Sequence, residues 1–475
     1  MNPTDIEVVG ADLYMLPVHT RQPYSFGSAT LTSVVCARVR LTVRGRDGRL
    51  AIGWGETPLN VGWVWPHPTL SYDDRLSRLQ HLCRDLASAW TNCGFTGHAL
   101  EIGSDFQLST LHDVAHALDA KLGTLNEPIP HLAALVCCSP FDLALHDAYG
   151  MLHGVPVYDT YAAPYLSRDL STYFGDDSDT GVRFAGKYPA DYLVRTPPQT
   201  LPVWHSVGGA DALTNADLRG DEPDDGYPVT LENWIVRDGI KCLKVKLKGQ
   251  TSGGAEGDWD YWRVVQVGEI GARLGCEWLC LDFNCTCTDT DYVTEILDRL
   301  LREHPAIWRA VLYVEQPFPY DLEATMMDVH AVSARKPLFM DESAHDWRIV
   351  KLGRSLGWSC VALKACKTQT GAILSACWAI AHRMPLMVQD LTNPMLAQIG
   401  HVQLAAHVGA IMGIESNGPQ YYPDASAAEA AIHPGIYRRR NGCLELSSVT
   451  GWPGLGYRVD EIGRSLPEPI ASVHR

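Results

Sequence analysis

The chain has 475 residues, which at roughly 100–200 residues per domain allows two to four domains and a large buried core. Hydrophobic residues make up 46% of the chain and charged residues 20%, proportions that exclude a disordered protein. The 39 basic residues against 55 acidic ones give a net charge of −16, so nucleic acid is not expected as a partner, because phosphate requires clustered positive charge.

The N-terminal segment MNPTDIEVVGADLYM carries acidic residues and lacks an apolar core, so it does not resemble a secretory signal. No run of about 18 apolar residues occurs, so we expect no membrane association. The 14 cysteines are too sparse for a disulfide scaffold. These features together predict a cytoplasmic protein with free thiols.

An antiparallel hairpin is predicted near the N-terminus. Val34–Val43 and Ala51–Leu59 are strand-like, and Asp47-Gly48 between them is a turn signal. From about Tyr72 to Gly154 the hydrophobic spacing becomes helical, and Ser139 with Pro140 is predicted as the cap and first-turn pair of a helix. Residues 1–160 are therefore predicted to form one α+β domain.

Residues 161–200 show no sustained period, and Gly, Asp, Pro and Tyr are frequent. Their aromatic content predicts an ordered loop insertion and not a free linker.

Eight short apolar runs follow, separated by amphipathic segments. The runs cover 201–208, 242–248, 277–284, 310–317, 337–343, 360–366, 385–391 and 408–416. Strand–helix alternation implies parallel strands. Eight such units over about 215 residues predict an α/β barrel of the TIM type, which typically has about 250 residues.

Ionisable residues near the C-terminal ends of five consecutive runs are the most informative feature. They are Lys244 and Lys246, Asp282 with Asn284, Glu315, Asp341 with Glu342, and Lys364. Taken singly, each has an ordinary interpretation: a solvated edge strand, a turn, a loop boundary or a helix cap. Taken together, they predict an active site, because the C-terminal ends of barrel strands form the mouth where such sites lie.

The order of these residues predicts their arrangement. Carboxylates end strands 3, 4 and 5 of the barrel, and lysines end strands 2 and 6, which are opposite in an eight-stranded ring. Three carboxylates suit a hard divalent cation such as Mg²⁺. Lys244 and Lys246 share a strand face, so we expect one ammonium to lower the pKa of the other, and Lys246 is the predicted base.

This combination predicts removal of a proton from carbon. A proton α to a carboxylate is very weakly acidic, and a metal ion that stabilises the enolate makes its removal possible. A lysine base combined with Mg²⁺ is the known pattern of enolase-superfamily sites.

The sequence resembles the enolase superfamily, within the muconate-lactonizing-enzyme-like subgroup of the mandelate racemase/muconate lactonizing enzyme family. The matching segments are GWGETPL, SPFDLALHDAYGMLHGVPVYD, LKVKLKG, LDFN, VEQPFP, MDES, ALKACKTQTG and PGLGYRVDE. The resemblance implies an α+β capping domain closed over a (β/α)7β barrel. The expected division is a cap at 1–160, the insertion at 161–200, the barrel at 201–432, and a segment at 433–475 that returns to the cap.

The resemblance also implies roles for the residues at the mouth. Asp282, Glu315 and Asp341 would bind Mg²⁺, for which Mn²⁺ could substitute. Lys246 and Lys364 would be the two acid/base lysines, and Lys244 the auxiliary lysine. The substrate would be a small carboxylate, and a homo-oligomer is the expected assembly.

Substrate contacts are expected from two cap loops, Arg21–Ser28 and Thr57–Pro66. The candidate contacts from cap and barrel are Tyr24, Trp63, Trp65, Asn284, Asp390 and Glu415. The alternative for the aromatic residues is a position in the hydrophobic core. The alternative for Asp390 and Glu415 is ordinary helix capping.

Two departures from the family pattern narrow the chemistry. Strand 7 ends QDLTN without a histidine, so the histidine–aspartate pair of true mandelate racemases is missing and lysine–lysine chemistry remains. Strand 8 reads GIESNG and lacks the Asp-x-Asp pattern of dipeptide epimerases. We therefore favour a racemase or epimerase, with dehydratase/lyase and cycloisomerase reactions as alternatives on the same enolate.

Two further alternatives belong to other classes. Cys276, Cys280, Cys285 and Cys287 could hold structural zinc, although their spacing is not that of C-x2-C pairs. A non-catalytic scaffold with the same fold is the other alternative. The complete set of lysines and carboxylates disfavours a scaffold, because buried opposed lysines are costly without a function.

Overall fold

The computed structural model describes residues 2–67, 69–175, 177, 180–250 and 257–475. The N-terminal half contains an antiparallel sheet with the hydrogen-bonded order β14-β1-β2-β3, and β4 pairs with β1. Its strands are β1 (Ile6–Phe26), β2 (Ala29–Gly45), β3 (Leu50–Pro58), β4 (Thr96–Gly97) and β14 (Ala471–His474). The last strand of the chain thus joins the sheet that the first strands begin.

The predicted hairpin is confirmed as β2 and β3, with Val43 opposite Ala51. Gly48 has a φ of +83°, which the Asp47-Gly48 turn requires. Gly53 and Gly55 belong to the segment GWGETPL. A Cβ at either position would lie 2.1 Å from a backbone atom of the helix that contains Pro140 and Ala148. The two glycines therefore allow β3 to pack directly against that helix.

The helices beside this sheet include the long, buried α5. They are α1 (Val61–Val64), α2 (Tyr72–Asn92), α3 (Ala99–Ser109), α4 (Leu111–Leu122) and α5 (His131–His153). The predicted helix start at Ser139 and Pro140 is wrong, because Pro140 lies inside α5. Proline costs about 3 kcal/mol in a helix interior, and α5 tolerates it because it is buried on nearly all sides. Ser139 instead donates its hydroxyl to the carbonyl oxygen of Ala365 (2.9 Å).

Residues 161–200 contain the short helix α6 (Ser171–Phe174) and a 3₁₀ turn at Pro189–Asp191. Tyr161 and Phe184 are fully buried in the larger hydrophobic core. Buried aromatic residues therefore anchor this segment to the core, within the part of it that the structure describes.

The second sheet contains eight parallel strands, one in each predicted run. They are β5 (Thr200–Val207), β6 (Cys242–Lys246), β7 (Trp278–Asp282), β8 (Val311–Glu315), β9 (Leu338–Met340), β10 (Cys360–Leu363), β11 (Leu386–Val388) and β12 (Ile414–Glu415). The hydrogen-bonded order is β11-β10-β9-β8-β7-β6-β5-β12, so neighbours in sequence are neighbours in space except at β12. A short antiparallel strand, β13 (Cys443–Glu445), pairs with β5.

Helices connect these strands in the expected alternation. They are α7 (Leu231–Asp238), α8 (Gly257–Arg273), α9 (Thr290–Glu303), α10 (Pro305–Ala310), α11 (Leu322–Thr325), α12 (His330–Ser333), α13 (Trp347–Leu356), α14 (Gln369–Ala381), α15 (Met395–Val408), α16 (Gly418–Tyr421), α17 (Ala427–Ile432) and α18 (Pro434–Tyr437). None of the described helices combines the length and apolar character that crossing a membrane requires.

The parallel sheet is curled into a barrel-like shape around an interior of its own. Alternate side chains of its strands form a separate buried cluster, which includes Trp204, Cys242, Cys280, Tyr313 and Met387. At the ends of the hydrogen-bonded path, Asp390 follows β11 and donates its backbone N–H to the Glu415 carboxylate on β12 (2.9 Å). The two end strands therefore approach each other.

A buried ion network joins the two sheets. Arg38 on β2 is 1% exposed and pairs with Glu56 on β3 (2.5 Å) and with Glu429 on α17 (3.2 Å). Arg464 pairs with Glu429 as well (2.6 Å). Because α17 follows the last strand of the parallel sheet, these contacts fix the position of one sheet relative to the other.

Removing Arg38 should strongly destabilise the protein. Arg38→Ala would leave Glu56 and part of Glu429 as buried charges without their partner, a change that typically costs about 3–5 kcal/mol. The free energy of unfolding, measured by urea titration, is expected to fall by that amount. Arg40→Ala on the same strand breaks only the partly exposed Arg40–Asp12 pair (2.9 Å), which should cost about 1 kcal/mol or less. Equal losses in the two variants would contradict a structural role of the buried network.

Candidate active site

The structure brings the predicted mouth residues together at the C-terminal ends of adjacent strands. Lys246 lies opposite Asp282 in the β6–β7 register, and Asp282 lies opposite Glu315 in the β7–β8 register. Asp341 follows β9 directly, and Lys364 follows β10. Since β7, β8 and β9 separate β6 from β10 in the sheet, the carboxylates lie on the arc between the two lysine-bearing strands.

Lys244 occupies the centre of this arrangement. Its Nζ lies 2.7 Å from Glu315 Oε1, 2.9 Å from Glu415 Oε2 and 3.1 Å from Asp282 Oδ2. Burial alone would lower the pKa of Lys244, but the surrounding carboxylates outweigh burial and hold the pKa well above its ordinary value. Lys244 is therefore a charged group that holds the carboxylates together.

Lys246 lies toward the cap side of the same strand face. Its Nζ donates to Asp282 Oδ2 (2.5 Å) and Asn284 Oδ1 (3.2 Å). Burial is the largest single effect and lowers the pKa of Lys246, but Asp282, Tyr24 and Glu415 raise it, so the pKa lies above its ordinary value. The expectation that Lys244 would bring this pKa toward neutrality is wrong for this arrangement, because the lowering by Lys244 is smaller than the effect of Asp282.

Lys364 approaches the carboxylates from the opposite side. Its Nζ lies 2.9 Å from Asp341 Oδ2 and donates to the backbone oxygen of Asp390 (2.7 Å). Lys367, which sequence reasoning missed, is 3% exposed and donates to the backbone oxygen of Asp341 (2.6 Å). The sequence offered one signal for Lys367: it lies three residues after Lys364, and the structure places these three residues in a 3₁₀ turn.

Two further polar residues belong to the mouth. Gln389, just before Asp390, donates to Glu315 Oε2 (2.7 Å). Glu342 is 3% exposed; its Oε1 accepts from Asn284 (3.0 Å), and its Oε2 is buried without a hydrogen-bond partner. Burial, together with the neighbouring Asp341 charge, raises the pKa of Glu342 to about 7.

The buried charges at the mouth do not balance. Six buried carboxylates face four buried lysines, an excess of two negative charges if all are ionised. They are Asp282, Glu315, Asp341, Glu342, Asp390 and Glu415, against Lys244, Lys246, Lys364 and Lys367. Among the described residues no group of three Asp, Glu, His or Cys side chains is arranged to hold a metal ion, and an ammonium group lies between the candidate ligands. The unmatched charge and the unpartnered Glu342 oxygen nevertheless fit a hard divalent cation.

The proposed substrate contacts from the barrel are already engaged by the protein. Asp390 accepts backbone N–H groups of Asn417 (2.6 Å), Leu391 (2.8 Å) and Asn393 (3.0 Å), so both of its oxygens cap the ends of β11 and β12. Glu415 accepts from Lys244, and burial of its carboxylate is outweighed by the nearby lysines, which lower its pKa to about 2.

Cap residues cover the mouth. The Lys364 ammonium lies 4.4 Å from the ring centre of Trp63, and the Lys246 ammonium lies 6.0 Å from that of Phe26. Tyr24 is buried, and its hydroxyl lies 2.7 Å from Ser206 Oγ on β5. Trp65 packs under Arg78 of α2 instead, 5.5 Å from the guanidinium carbon.

Two adjoining cavities lead from the surface to the mouth. A cavity of about 530 Å³ lies in the cap beside Asn60 and Arg75. A narrow one of about 40 Å³ shares Phe26, Gly62 and Pro66 with it and reaches Asn284 and Glu342. The narrow cavity has space for only one or two water molecules. A larger molecule could therefore reach the mouth only if the cap residues around the cavity moved.

The predicted loop Arg21–Ser28, which we call the cap loop, consists of the end of β1 and the turn to β2, and it is clamped to the barrel-like domain. Arg21 binds both oxygens of Asp225 (2.7 Å each) and donates to the backbone oxygens of Tyr227 (3.3 Å) and Pro228 (3.1 Å). Farther along, the backbone N–H of Gly209 donates to the oxygen of Ser25 (2.9 Å). The segment between β5 and α7 therefore holds this cap loop over the mouth.

The four cysteines considered for zinc do not meet. Cys276 donates to the backbone oxygen of Ile240 (3.2 Å), and Cys280 lies inside the barrel-like sheet 3.5 Å from Glu315. Cys287 is buried in the core among the helices. All 14 cysteines are free thiols.

Comparison with known proteins identifies the C-terminal part of the chain. Residues 229–462 match the family model described as enolase C-terminal domain-like. No curated protein matches the chain. The chain therefore carries a domain of this family, and the predicted membership of the enolase superfamily, a superfamily of enzymes, is confirmed.

Solved structures share the fold over nearly the whole chain. The N-succinyl Arg/Lys racemase from Bacillus cereus has a TM-score of 0.62 and 15% identity, covering 98% of this chain and 99% of its own. The muconate lactonizing enzyme from Pseudomonas fluorescens, complexed with muconolactone, has a TM-score of 0.59 and 18% identity, covering 97% of each chain. The dipeptide epimerase from Cytophaga hutchinsonii, complexed with Mg and D-Ala-L-Val, has a TM-score of 0.58 and 16% identity, covering 95% of each chain. They support a capping domain joined to a barrel-like domain.

The Arg21 clamp should control the mobility of the cap loop. Arg21→Ala removes a bidentate ion pair and two hydrogen bonds to carbonyl groups, so backbone amides of residues 21–28 should exchange with deuterium about three- to tenfold faster, while the global stability changes little. Hydrogen exchange followed by mass spectrometry measures this. Arg44→Ala, which breaks the exposed Arg44–Glu7 pair (2.9 Å) on the same sheet, is the control. Unchanged exchange in the loop of Arg21→Ala would show that the clamp does not hold it.

Proposed function

We propose that this protein removes the α-proton of a small carboxylate substrate, stabilises the resulting enolate with Mg²⁺, and returns a proton from the opposite side, as a racemase or epimerase. The observation that carries the proposal is the placement of two buried ammonium groups on opposite sides of one carboxylate cluster. Lys246 contacts Asp282 on one side, and Lys364 contacts Asp341 on the other.

The two lysines have matching environments, as a two-base reaction requires. Each is at most 6% exposed, lies under an aromatic ring from the cap, and contacts one of the proposed metal ligands. In the proposed reaction one lysine, as the free amine, accepts the α-proton, and the other, as the ammonium, donates a proton to the opposite face of the planar carbon. Lys244 contributes fixed positive charge beside the substrate carboxylate.

Asp282, Glu315 and Asp341 are the proposed ligands of the metal ion, and the negative excess at the mouth supports a divalent cation. When bound, the cation would supply positive charge to the developing enolate, and Lys246 would share the Asp282 carboxylate with it. The Mg-complexed dipeptide epimerase has the same fold, which is consistent with this assignment. Two residues that are not proposed ligands orient the ligands by hydrogen bonds: Gln389 donates to Glu315, and Lys367 donates to Asp341.

The substrate is proposed to lie between the cap loops and the mouth. Trp63 and Asn284 are proposed contacts because they line the narrow cavity, and Tyr24 is the third because its hydroxyl contacts Ser206 at the end of β5. Asp390 and Glu415 are occupied within the protein, which makes them positioning residues rather than contacts. Relatives named for N-succinyl amino acids and dipeptides suggest amino-acid derivatives as the first compounds to test.

Loss of a β-leaving group or ring formation could follow the same first step. A dehydratase/lyase or a cycloisomerase would use one lysine as base, and the second lysine would not need an equal environment. The symmetry of Lys246 and Lys364 therefore favours epimerisation.

We further propose that the curled parallel sheet is a closed (β/α)7β barrel. The approach of Asp390 to Glu415 between the end strands supports closure. In this division residues 201–432 form the barrel, residues 161–200 are the insertion, and residues 1–160 with the 433–475 segment form the cap. The pairing of β14 with β1 supports the return of the chain to the cap.

Single lysine variants test the two-base reaction. With Mg²⁺ in D₂O, the wild type should exchange and invert the α-centre of its substrate, as detected by NMR with a panel of amino-acid derivatives and sugar acids. Lys246→Ala and Lys364→Ala should each reduce inversion at least about 10³-fold, because each removes one of the two proton carriers. Each should still exchange the one enantiomer whose proton faces the remaining lysine. Lys241→Ala, at the other end of β6, is the control, and near-normal inversion in either active-site variant would refute the assignment.

Metal binding is tested separately from turnover. Addition of Mg²⁺ at about 100 times its dissociation constant should stabilise the protein by about 2.7 kcal/mol, visible as a raised melting temperature that EDTA reverses. Asp282→Asn should abolish most of that shift. Asp291→Asn, on the surface of α9, should retain it. An equal Mg²⁺ response in Asp282→Asn would exclude Asp282 as a ligand.

A further inference from the structure

A separate cavity, of about 600 Å³, lies between α7 and the 419–440 segment. We call it the arginine groove, because Arg237, Arg438, Arg439 and Arg440 line it. The lysines and carboxylates of the mouth are not among its lining residues, as far as the structure describes them. Its size is that of an ordinary small-molecule site, which is typically about 300–1,000 Å³.

The charge of the arginine groove is opposite to that of the whole chain. Two carboxylates, Asp238 and Asp424, line it beside the four arginines, which leaves an excess of two positive charges. The net charge of the protein is −16. A local reversal of this kind attracts an anion and raises its concentration at the surface.

The carboxylate nearest the arginines is shared between two of them. Asp238 Oδ1 accepts from Arg237 Nε, and Asp238 Oδ2 accepts from Arg439 Nε, both at 2.8 Å. Each oxygen of Asp238 therefore already accepts a hydrogen bond from Arg237 or Arg439, whereas the guanidinium groups of Arg438 and Arg440 are exposed.

Arg439 contributes a second, independent observation. Its side chain is 1% exposed, and its Nη1 lies 3.0 Å from His205 Nδ1. Its Nη2 is buried and has no hydrogen-bond partner. An unpaired buried guanidinium N–H is costly, so a site where an acceptor can complete its hydrogen bonds is expected beside it.

Aromatic rings hold these arginines in place. The Arg237 guanidinium carbon lies 4.4 Å from the Trp234 ring centre and 5.3 Å from that of Tyr227, and that of Arg439 lies 4.9 Å from the Trp234 ring centre. A guanidinium group held against a ring loses less conformational freedom when it binds an anion. The groove is thus preorganised on the side of α7.

We propose that the arginine groove binds a small dianion, a phosphoryl or dicarboxylate group. In this proposal Arg438 and Arg440, the exposed arginines of the 419–440 segment, bind its oxygens, and Arg439 Nη2 supplies a further donor. Guanidinium groups match the planar oxygen pairs of carboxylate and phosphate with two parallel hydrogen bonds. This site is separate from the proposed reaction at the mouth and does not depend on it.

Calorimetric titration tests the proposal, with inorganic phosphate and succinate as separate probes, without Mg²⁺ and at constant ionic strength. The wild type should bind at least one of the two saturably, and the stronger binder identifies the chemical class. Arg438→Ala/Arg440→Ala should weaken that binding at least tenfold. Both residues are exposed, so the variant should fold.

Two controls separate the arginine groove from other sites. Arg302→Ala/Arg309→Ala makes the same change in net charge at exposed positions elsewhere and should bind as the wild type does. Lys364→Ala should also bind normally, because it changes only the mouth. Arg439→Lys, which keeps the charge but loses the Nη2 donor and the contact with His205, should also weaken binding.

Three results would overturn the proposal. They are the absence of saturable binding of either probe, equal affinity in Arg438→Ala/Arg440→Ala and wild type, and loss of binding in Lys364→Ala alone. The last result would move the dianion to the mouth.

Discussion

The balance of buried charge at the mouth of the barrel-like domain is the constraint on which the rest of the structure depends. Taking a lysine or a carboxylate out of water costs several kcal/mol, and only a close partner of opposite charge offsets that cost. Each mouth lysine accordingly contacts a carboxylate within 3.5 Å. These contacts require side chains at the ends of five different strands, β6 to β10, to converge, and parallel strands that end at one rim achieve this. If all six carboxylates are ionised, two negative charges remain that the chain itself does not neutralise.

The cost of burying these charges also explains why the mouth depends on the cap. Water would screen the lysine and carboxylate charges if the mouth were open, and the cap excludes it with Phe26 and Trp63. The cap also positions the residues that follow Lys364. On α5, Ser139 donates to the backbone oxygen of Ala365, and Asp142 accepts both the backbone N–H and the hydroxyl of Thr370 at 2.8 Å. A helix of the N-terminal half therefore fixes the loop that carries one of the two proposed acid/base lysines.

Sequence patterns predicted the parts of this protein that local chemistry determines. The hairpin at Gly48 follows from its turn residues, and the eight parallel strands follow from apolar runs between amphipathic segments. The lysines and carboxylates at strand ends were recognisable because such residues are unexpected in buried strands. What could not be predicted depends on distant partners.

Pro140 shows one such limit, since its place inside α5 depends on packing against β3 and not on its neighbours in sequence. The pKa of Lys246 shows a second limit. Whether it is raised or lowered depends on the relative effects of Lys244 and Asp282, which the alternation along one strand does not reveal. The Arg21–Asp225 clamp joins residues 204 positions apart. The same segment between β5 and α7 supplies Tyr227, whose ring lies beside Arg21 and Arg237 and whose carbonyl accepts from Arg21. One short segment of the chain thus contacts both the cap loop over the mouth and the arginine groove, a juxtaposition that no local sequence pattern reveals.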